Sequence, residues 1–447
     1  MFLCSISFVL FVGCASEPPV PIPGLGELVP VVTQPSDKLE VHLFVDATES
    51  MSGFTTSTAA ATPYQLLLKA LEDGVNSLPD PTKKVLKFKF GKDIVPFPGS
   101  LHVTAGKEKS FYNGAGQITL IQNVLQQKYT PSNPESLSVV VTDLFQQDRD
   151  TGLLIAALSK NYLSKGLSVA LIGVKSEFNG KIFDMNNSTA GVPYIGTRPV
   201  YAIVIGSYGN VSHYIEAIKL TNTSLQSSGT KYTIFTPQVF AKPISFLGDC
   251  AVRDPASKDA WNLDKVSDNL KPDGLLPGTN ICKFLIDPVA QAKFTALIQA
   301  PVLLSEDVAS YDLQQSEIFV EVQRAIEPPT QTEQENPSPK PPSNLSEPLK
   351  DIEISTDFSK DTSNALLLKM TLNFKSQQLA QGSYLVQVFF KPKISNYPMK
   401  WDDWSTDNAA VEKSKTQELT SFIKKLYSAS IETQKPEARM AFYVTKP

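Results

Sequence analysis

Asp46 closes an apolar run in the stretch FVDATESMSG (44–53), and Thr48 and Ser50 follow it at alternate positions. A second aspartate, Asp143, ends another apolar run, LSVVVTD (137–143). A carboxylate and two hydroxyls in steps of two suit two kinds of chemistry. A small divalent cation such as Mg²⁺ takes oxygen ligands in octahedral geometry, and a turning chain end can aim several oxygens at one point. The same residue types after a strand also cap the helix that follows. The local pattern leaves both readings open, and the choice turns on whether distant oxygens converge on Asp46.

The surrounding elements are those that would bring them together. LEVHLFVD (39–46), KKVLKFKFG (83–91), LSVVVTD (137–143), LSVALIGVKS (167–176) and PVYAIVIG (199–206) read as strands. Three of these are apolar throughout and suit strands buried on both faces. Between them, 62–78, 119–129, 152–166 and 210–222 read as helices. Thr62 and Pro63 fit a helix N-cap and first position, Gly166 fits a helix stop, and Asn210 or Ser212 fits a cap. Residues 181–197 read as a hairpin or irregular insertion. Alternating strands and helices predict an α/β domain over 38–225, a doubly wound and mainly parallel Rossmann-like sheet. Ligands of such sheets bind beyond the carboxyl ends of the strands, which is where Asp46 and Asp143 fall.

Asp46-Ala47-Thr48-Glu49-Ser50 resembles the DxSxS motif of the von Willebrand factor A family, with threonine in the second place. GQITLIQNVL (116–125) is similar to the family's loop-to-helix segment and VVTD (140–143) to its later strand end. The resemblance covers about 38–225. It implies a metal-ion-dependent adhesion site built from Asp46, Thr48, Ser50, Thr119 and Asp143, holding Mg²⁺ or alternatively Mn²⁺ or Ca²⁺. It also implies a protein partner whose Asp or Glu completes the coordination. The chemistry is self-consistent: three hydroxyls add no charge, so two carboxylates leave a divalent cation near neutrality and still electrophilic. Glu49 reads as solvent-exposed, and Asp148 and Asp150 read as loop charges.

Composition narrows the function classes. The chain has 447 residues, 42% hydrophobic and 19% charged, with a net charge of −4, a globular balance that gives nucleic acid no basic surface. The opening run MFLCSISFVLFVGCAS is too short to span a bilayer, which takes roughly 20 residues, and suits a signal segment. Its end, LFVGC (10–14), resembles a bacterial lipobox, with Phe11 where leucine is usual, and would make Cys14 a lipidated residue. Residues 15–37 are a Pro-rich tether. Together these imply lipid anchoring in a bacterial cell envelope, and Ala15 after the cysteine leans toward the outer membrane. Cys250 and Cys282 are then either a disulfide pair or two buried thiols. Three scattered histidines and no CxxC give a zinc site no support.

From 230 the texture changes to short β-like runs at 231–237, 317–325, 351–358, 364–374, 382–392 and 438–446, with a helix at 409–429. The expectation is a second, β-rich and sandwich-like domain over 230–447, carrying a disordered Pro-rich loop at 327–348. Trp401 and Trp404 read either as half-buried anchors or as an exposed ligand patch. The expected function is a lipid-anchored binding protein rather than an enzyme. Two alternatives remain: an envelope assembly lipoprotein with a non-functional rim, and a Mg²⁺-dependent phosphoester hydrolase.

Overall fold

The computed structural model describes residues 34–55, 60–78, 82–113, 119–126, 128–144, 151–183, 191–237, 307–309 and 399–433, together with the later strands whose bounds follow. The signal segment with Cys14, most of the 15–37 tether, Asp148, Asp150, Cys250 and the loop 327–348 lie outside them, as does the side chain of Cys282.

Seven strands form the first sheet: β1 (Glu40–Asp46), β2 (Lys84–Phe90), β3 (Ile94–Pro96), β4 (Ser136–Thr142), β5 (Ser168–Ile182), β6 (Val192–Gly206) and β7 (Lys231–Phe235), in the order β3-β2-β1-β4-β6-β5-β7. The helices are α1 (Glu49–Ser52), α2 (Pro63–Asn76), α3 (Ile121–Val124), α4 (Thr151–Asn161), α5 (Tyr208–Thr221), α6 (Thr223–Ser227) and α7 (Leu419–Glu432). Successive residues of each central strand enter opposite cores. Val41, Leu43 and Val45 face one, with Leu137, Val139 and Val141, while Phe44, Val140, Tyr201 and Ile203 face the other. This period of two, apolar on both faces, is what sandwiches the sheet between helix layers. Residues from α2 and α5 cover the first face, and residues from α3, α4 and α7 the second.

The expected mainly parallel, Rossmann-like sheet is corrected. Only β1–β2 and β1–β4 pair parallel; β2–β3, β4–β6, β5–β6 and β5–β7 pair antiparallel. The reason lies in β5. Its alternation runs on past Ser176 through Phe178 to Ile182, and the chain then returns directly as β6. A parallel return needs a crossover of a dozen or more residues, usually a helix, whereas a short connection makes a hairpin. β6 therefore slots between β4 and β5, antiparallel to both. Of the 181–197 segment, the described residues 181–182 and 192–197 pair in this hairpin, an arm reaching past the neighbouring strands β4 and β7, whose pairings stop at Tyr201 and Gly173.

Local signals account for the helices. α2 starts as expected, with Thr62 and Gln65 capping each other's backbone and Pro63 in the first turn. α5 starts earlier than expected, on Ser207, whose hydroxyl accepts the Asn210 N–H at 3.2 Å. α3 is only one turn of the expected 119–129 helix. The Thr130 hydroxyl takes the Val124 carbonyl at 2.8 Å and the Tyr162 hydroxyl takes that of Leu125 at 2.7 Å, so side chains replace the next helical N–H groups.

Two later segments belong to the first sheet although the sequence suggested a separate domain. β7 pairs with β5, and Trp401, Trp404 and α7 pack on the second face of the sheet, while Ala409 joins the first core. Trp401 is fully buried, its indole N–H donates to the Thr233 hydroxyl at 2.8 Å, and a Cβ on Gly173 would sit 2.7 Å from its ring. Trp404 packs edge-on against it, so both tryptophans are anchors rather than an exposed patch. Lys231 pairs with Asp403, and the Tyr201 and Thr416 hydroxyls meet at 2.8 Å. The expected 409–429 helix forms as α7, starting at Leu419.

The remaining strands are β8 (Ser245–Phe246), β9 (Trp261–Lys265), β10 (Cys282–Ile286), β11 (Lys293–Pro301), β12 (Tyr311–Ala325), β13 (Phe358–Asp361), β14 (Asn364–Lys375), β15 (Gly382–Ile394), β16 (Ser405–Thr406), β17 (Thr416–Gln417) and β18 (Ala438–Lys446). They make a five-stranded sheet, β12-β15-β18-β10-β9, a four-stranded sheet, β13-β14-β11-β8, and the short β16–β17 pair. Among the described residues no helix is long and apolar enough to cross a membrane.

Candidate functional site

β1 and β4 lie side by side and parallel, with Val45 opposite Val141. Asp46 therefore comes level with Thr142 at one end of the sheet, and Asp143 stands just beyond. Past Asp46 the chain turns into the single turn of α1, which carries Ser50; Thr119 enters from the segment before α3. All five residues expected from the sequence are buried: Asp46, Thr48, Ser50, Thr119 and Asp143.

Hydrogen-bond contacts link Asp46, Thr48, Ser50 and Thr119. Asp46 Oδ1 accepts the Thr48 hydroxyl at 2.7 Å and the Thr48 N–H at 3.1 Å. Asp46 Oδ2 accepts the Thr119 hydroxyl at 3.3 Å and the Thr142 hydroxyl at 3.1 Å. Thr48 Oγ1 lies 3.2 Å from Ser50 Oγ and 3.1 Å from Thr119 Oγ1. Thr48 is the N-cap residue of α1, yet its side chain makes no capping bond. Its hydroxyl turns to Asp46 instead, so helix capping does not account for the Asp46-Thr48-Ser50 spacing.

Burial pushes the Asp46 carboxyl up to about 7, and the nearby charge of Asp143 adds to the rise. Hydrogen bonds from Thr48 and Thr142 oppose it. Two carboxylates in one dry site repel, and removal from water disfavours the charged form of each. Beside them stands a tyrosine pair. The Tyr112 hydroxyl donates to the Ala105 carbonyl at 2.6 Å, so the Tyr64 hydroxyl, 2.8 Å away, donates to Tyr112. Burial holds both phenols above their ordinary range, and the negative charge of Asp46 pushes the same way.

The arm of β5 and β6 packs against α1. The Asn179 N–H donates to the Gly53 carbonyl at 2.8 Å, Lys181 pairs with Glu49 at 2.9 Å, and Phe178 meets Phe54 edge-on at 5.0 Å. Glu49 is thus exposed in part and engaged in an ion pair. The approach is close because glycine sits on both sides: a Cβ on Gly180 would lie 2.7 Å from Gly53 Cα.

Sequence reasoning missed Thr142 and the two tyrosines, and it read the hairpin of the arm without its contact with α1. Thr142 left one signal, a lone hydroxyl at the end of an otherwise apolar strand and next to the aspartate. Tyr64 occupies an ordinary buried position of α2 and left none. The oxygens able to face a cation are those of Thr48, Ser50, Thr119 and the two aspartates. Among the described residues no group of three or more His, Cys, Asp or Glu side chains is placed to hold a metal.

No protein-family model matches the chain, and no curated protein matches its sequence. One solved structure, the crystal structure of an aerotolerance-related membrane protein from Bacteroides fragilis NCTC 9343 with multiple mutations to serines, is similar at 14% identity. It covers 43% of this chain and 96% of its own, with a TM-score of 0.23, a likeness too slight to carry either fold or function.

Proposed function

We propose that this chain is an envelope-anchored binding protein of the von Willebrand factor A type, which holds a divalent cation at Asp46, Thr48, Ser50, Thr119 and Asp143 and uses it to take a carboxylate from a protein partner. The observation that carries the reading is the spacing of the hydroxyl oxygens. Adjacent ligands of an octahedral ion at 2.0–2.1 Å stand about 2.9 Å apart. Thr48 Oγ1 stands 3.2 Å from Ser50 Oγ and 3.1 Å from Thr119 Oγ1. The proton arithmetic fits as well. A hydroxyl has one proton and two lone pairs. Thr48 and Thr119 give their protons to Asp46 and keep lone pairs for an ion. A bound cation would also offset the repulsion between Asp46 and Asp143, and would itself supply an electrophilic position for a partner's Asp or Glu. Lipidation at Cys14 would tether the chain to the membrane.

Calorimetry with Mg²⁺ and Mn²⁺ on the full-length chain in detergent micelles tests this. Wild type should take one ion per chain, and Asp46→Asn and Asp143→Asn should each lose it while keeping the wild-type circular dichroism. No uptake by wild type at millimolar metal would refute the proposal.

A further inference from the structure

Thr142 lies outside the ligand set, yet its hydroxyl has two partners. It accepts the Leu144 N–H at 3.2 Å and donates to Asp46 Oδ2 at 3.1 Å. With Asp46 ionised, the form that would hold a cation, the direction of this chain is fixed: an N–H can only donate and a carboxylate can only accept, so the one proton of Thr142 points at Asp46. Thr142 is 0% exposed, so water has no access to replace it. At the far end of the relay stands Leu144, with a φ of +61°, a left-handed conformation that L side chains other than Asn and Asp seldom adopt. That turn lies immediately after Asp143. One hydroxyl thus joins the two loops that supply the two carboxylates, holding Asp46 with one end and the turn beyond Asp143 with the other.

We propose that Thr142 is a positioning residue for the cation: its hydroxyl fixes the orientation of Asp46 and ties it to the Asp143 turn, so that both carboxylates are placed before an ion arrives. The role rests on the metal reading given above. Thr142 is placed outside the ligand set because its hydroxyl meets Asp46 and the Leu144 N–H, whereas the Thr48, Ser50 and Thr119 hydroxyls meet one another. Asp46 Oδ2 retains only the longer 3.3 Å bond from Thr119 when the Thr142 donor is gone. Thr119 is also expected to bind the ion, so it cannot by itself set the angle of the carboxylate. Side chains that orient metal ligands in this way typically alter affinity by 10–100-fold when removed.

The test compares Thr142→Val, which keeps the shape and removes the hydroxyl, with Thr142→Ser, which keeps the hydroxyl. Mn²⁺ is titrated into the full-length chain by calorimetry, and unfolding of each protein in EDTA is followed by urea titration. Thr142→Val should bind one ion at least 10-fold more weakly than wild type, and Thr142→Ser should stay within about 3-fold. A merely structural threonine would lower stability in EDTA and leave the Mn²⁺ dissociation constant unchanged, which would overturn the inference and leave the metal site standing. Should the valine variant not fold, Thr142→Ala removes the same hydroxyl without added atoms and is read by the same criteria. If wild type itself takes up no Mn²⁺, the metal reading fails and the positioning role falls with it.

Discussion

The pair of buried carboxylates makes a specific demand on the metal-free protein. The Asp46 carboxyl rises from an ordinary 3.8 to about 7, through burial first and the charge of Asp143 second. Between those two pH values the unfolded chain has lost this proton and the folded chain still holds it. Stability must therefore fall as pH rises through the window, with the full loss reached above about pH 7. At about 1.4 kcal/mol per pH unit, the interval corresponds to about 4 kcal/mol. The perturbation is Asp46→Asn, which removes the titrating group and keeps the shape. Urea unfolding in EDTA, at intervals from pH 4.5 to 8, gives the difference between the two proteins. Wild type should lose stability relative to the variant by about 3 kcal/mol across the range, most of it before pH 7.5. Groups outside the Asp46–Asp143 pair cancel in the difference. Burial pushes His42 below the ordinary histidine range, so it adds stability as pH rises toward that range, and it does so in both proteins. Glu72, which burial pushes up but its bonds to Lys87, Leu101, Ser100 and His102 hold low, loses its contribution only in acid. Saturating Mg²⁺ should reverse the loss, adding about 2.7 kcal/mol at 100 times its dissociation constant, and should bind more weakly below pH 6 because it must displace a proton. Parallel pH profiles for wild type and Asp46→Asn would refute the repulsion argument, whatever the metal does.

The rest of the fold offers two sharper perturbations. Trp401→Ala empties a fully buried site and strands the Thr233 hydroxyl, so urea unfolding should show a loss of about 3–5 kcal/mol, the range for large aromatic truncations. That result would distinguish α7 and its tryptophan anchors as part of the first domain from a loosely appended tail, for which the loss would be under about 1 kcal/mol. Gly180→Ala drives a methyl group against the Gly53 backbone, so it should cost about 1–3 kcal/mol and weaken Mn²⁺ uptake, because Gly53 follows the turn that carries Ser50. Unchanged stability would mean that the arm does not press on the site.

Much of this protein was settled by the sequence alone, wherever short-range physics is decisive. Strand faces follow from a period of two, so Val41, Leu43 and Val45 could be assigned to one core before any contact was seen. Thr62 and Pro63 start α2 because capping involves only residues a few positions apart. Asp46, Thr48 and Ser50 meet because steps of two along a turning chain keep their oxygens together; Asp143 was visible as the end of a second apolar strand, and Thr119 was found by resemblance. Pairing direction was a different matter. Nothing within LSVALIGVKS states that the strand continues into an arm, or that its return strand will lie between β4 and β5; that depends on which edge offers free backbone groups. The docking of Trp401 and α7 on the second face depends on a hole left open by residues far earlier in the chain. Thr142 is the clearest instance. Its residue type and position were visible, but the direction of its one proton is set by two acceptor and donor groups on separate segments. Only the folded chain brings Asp46 and the Leu144 N–H to the same oxygen.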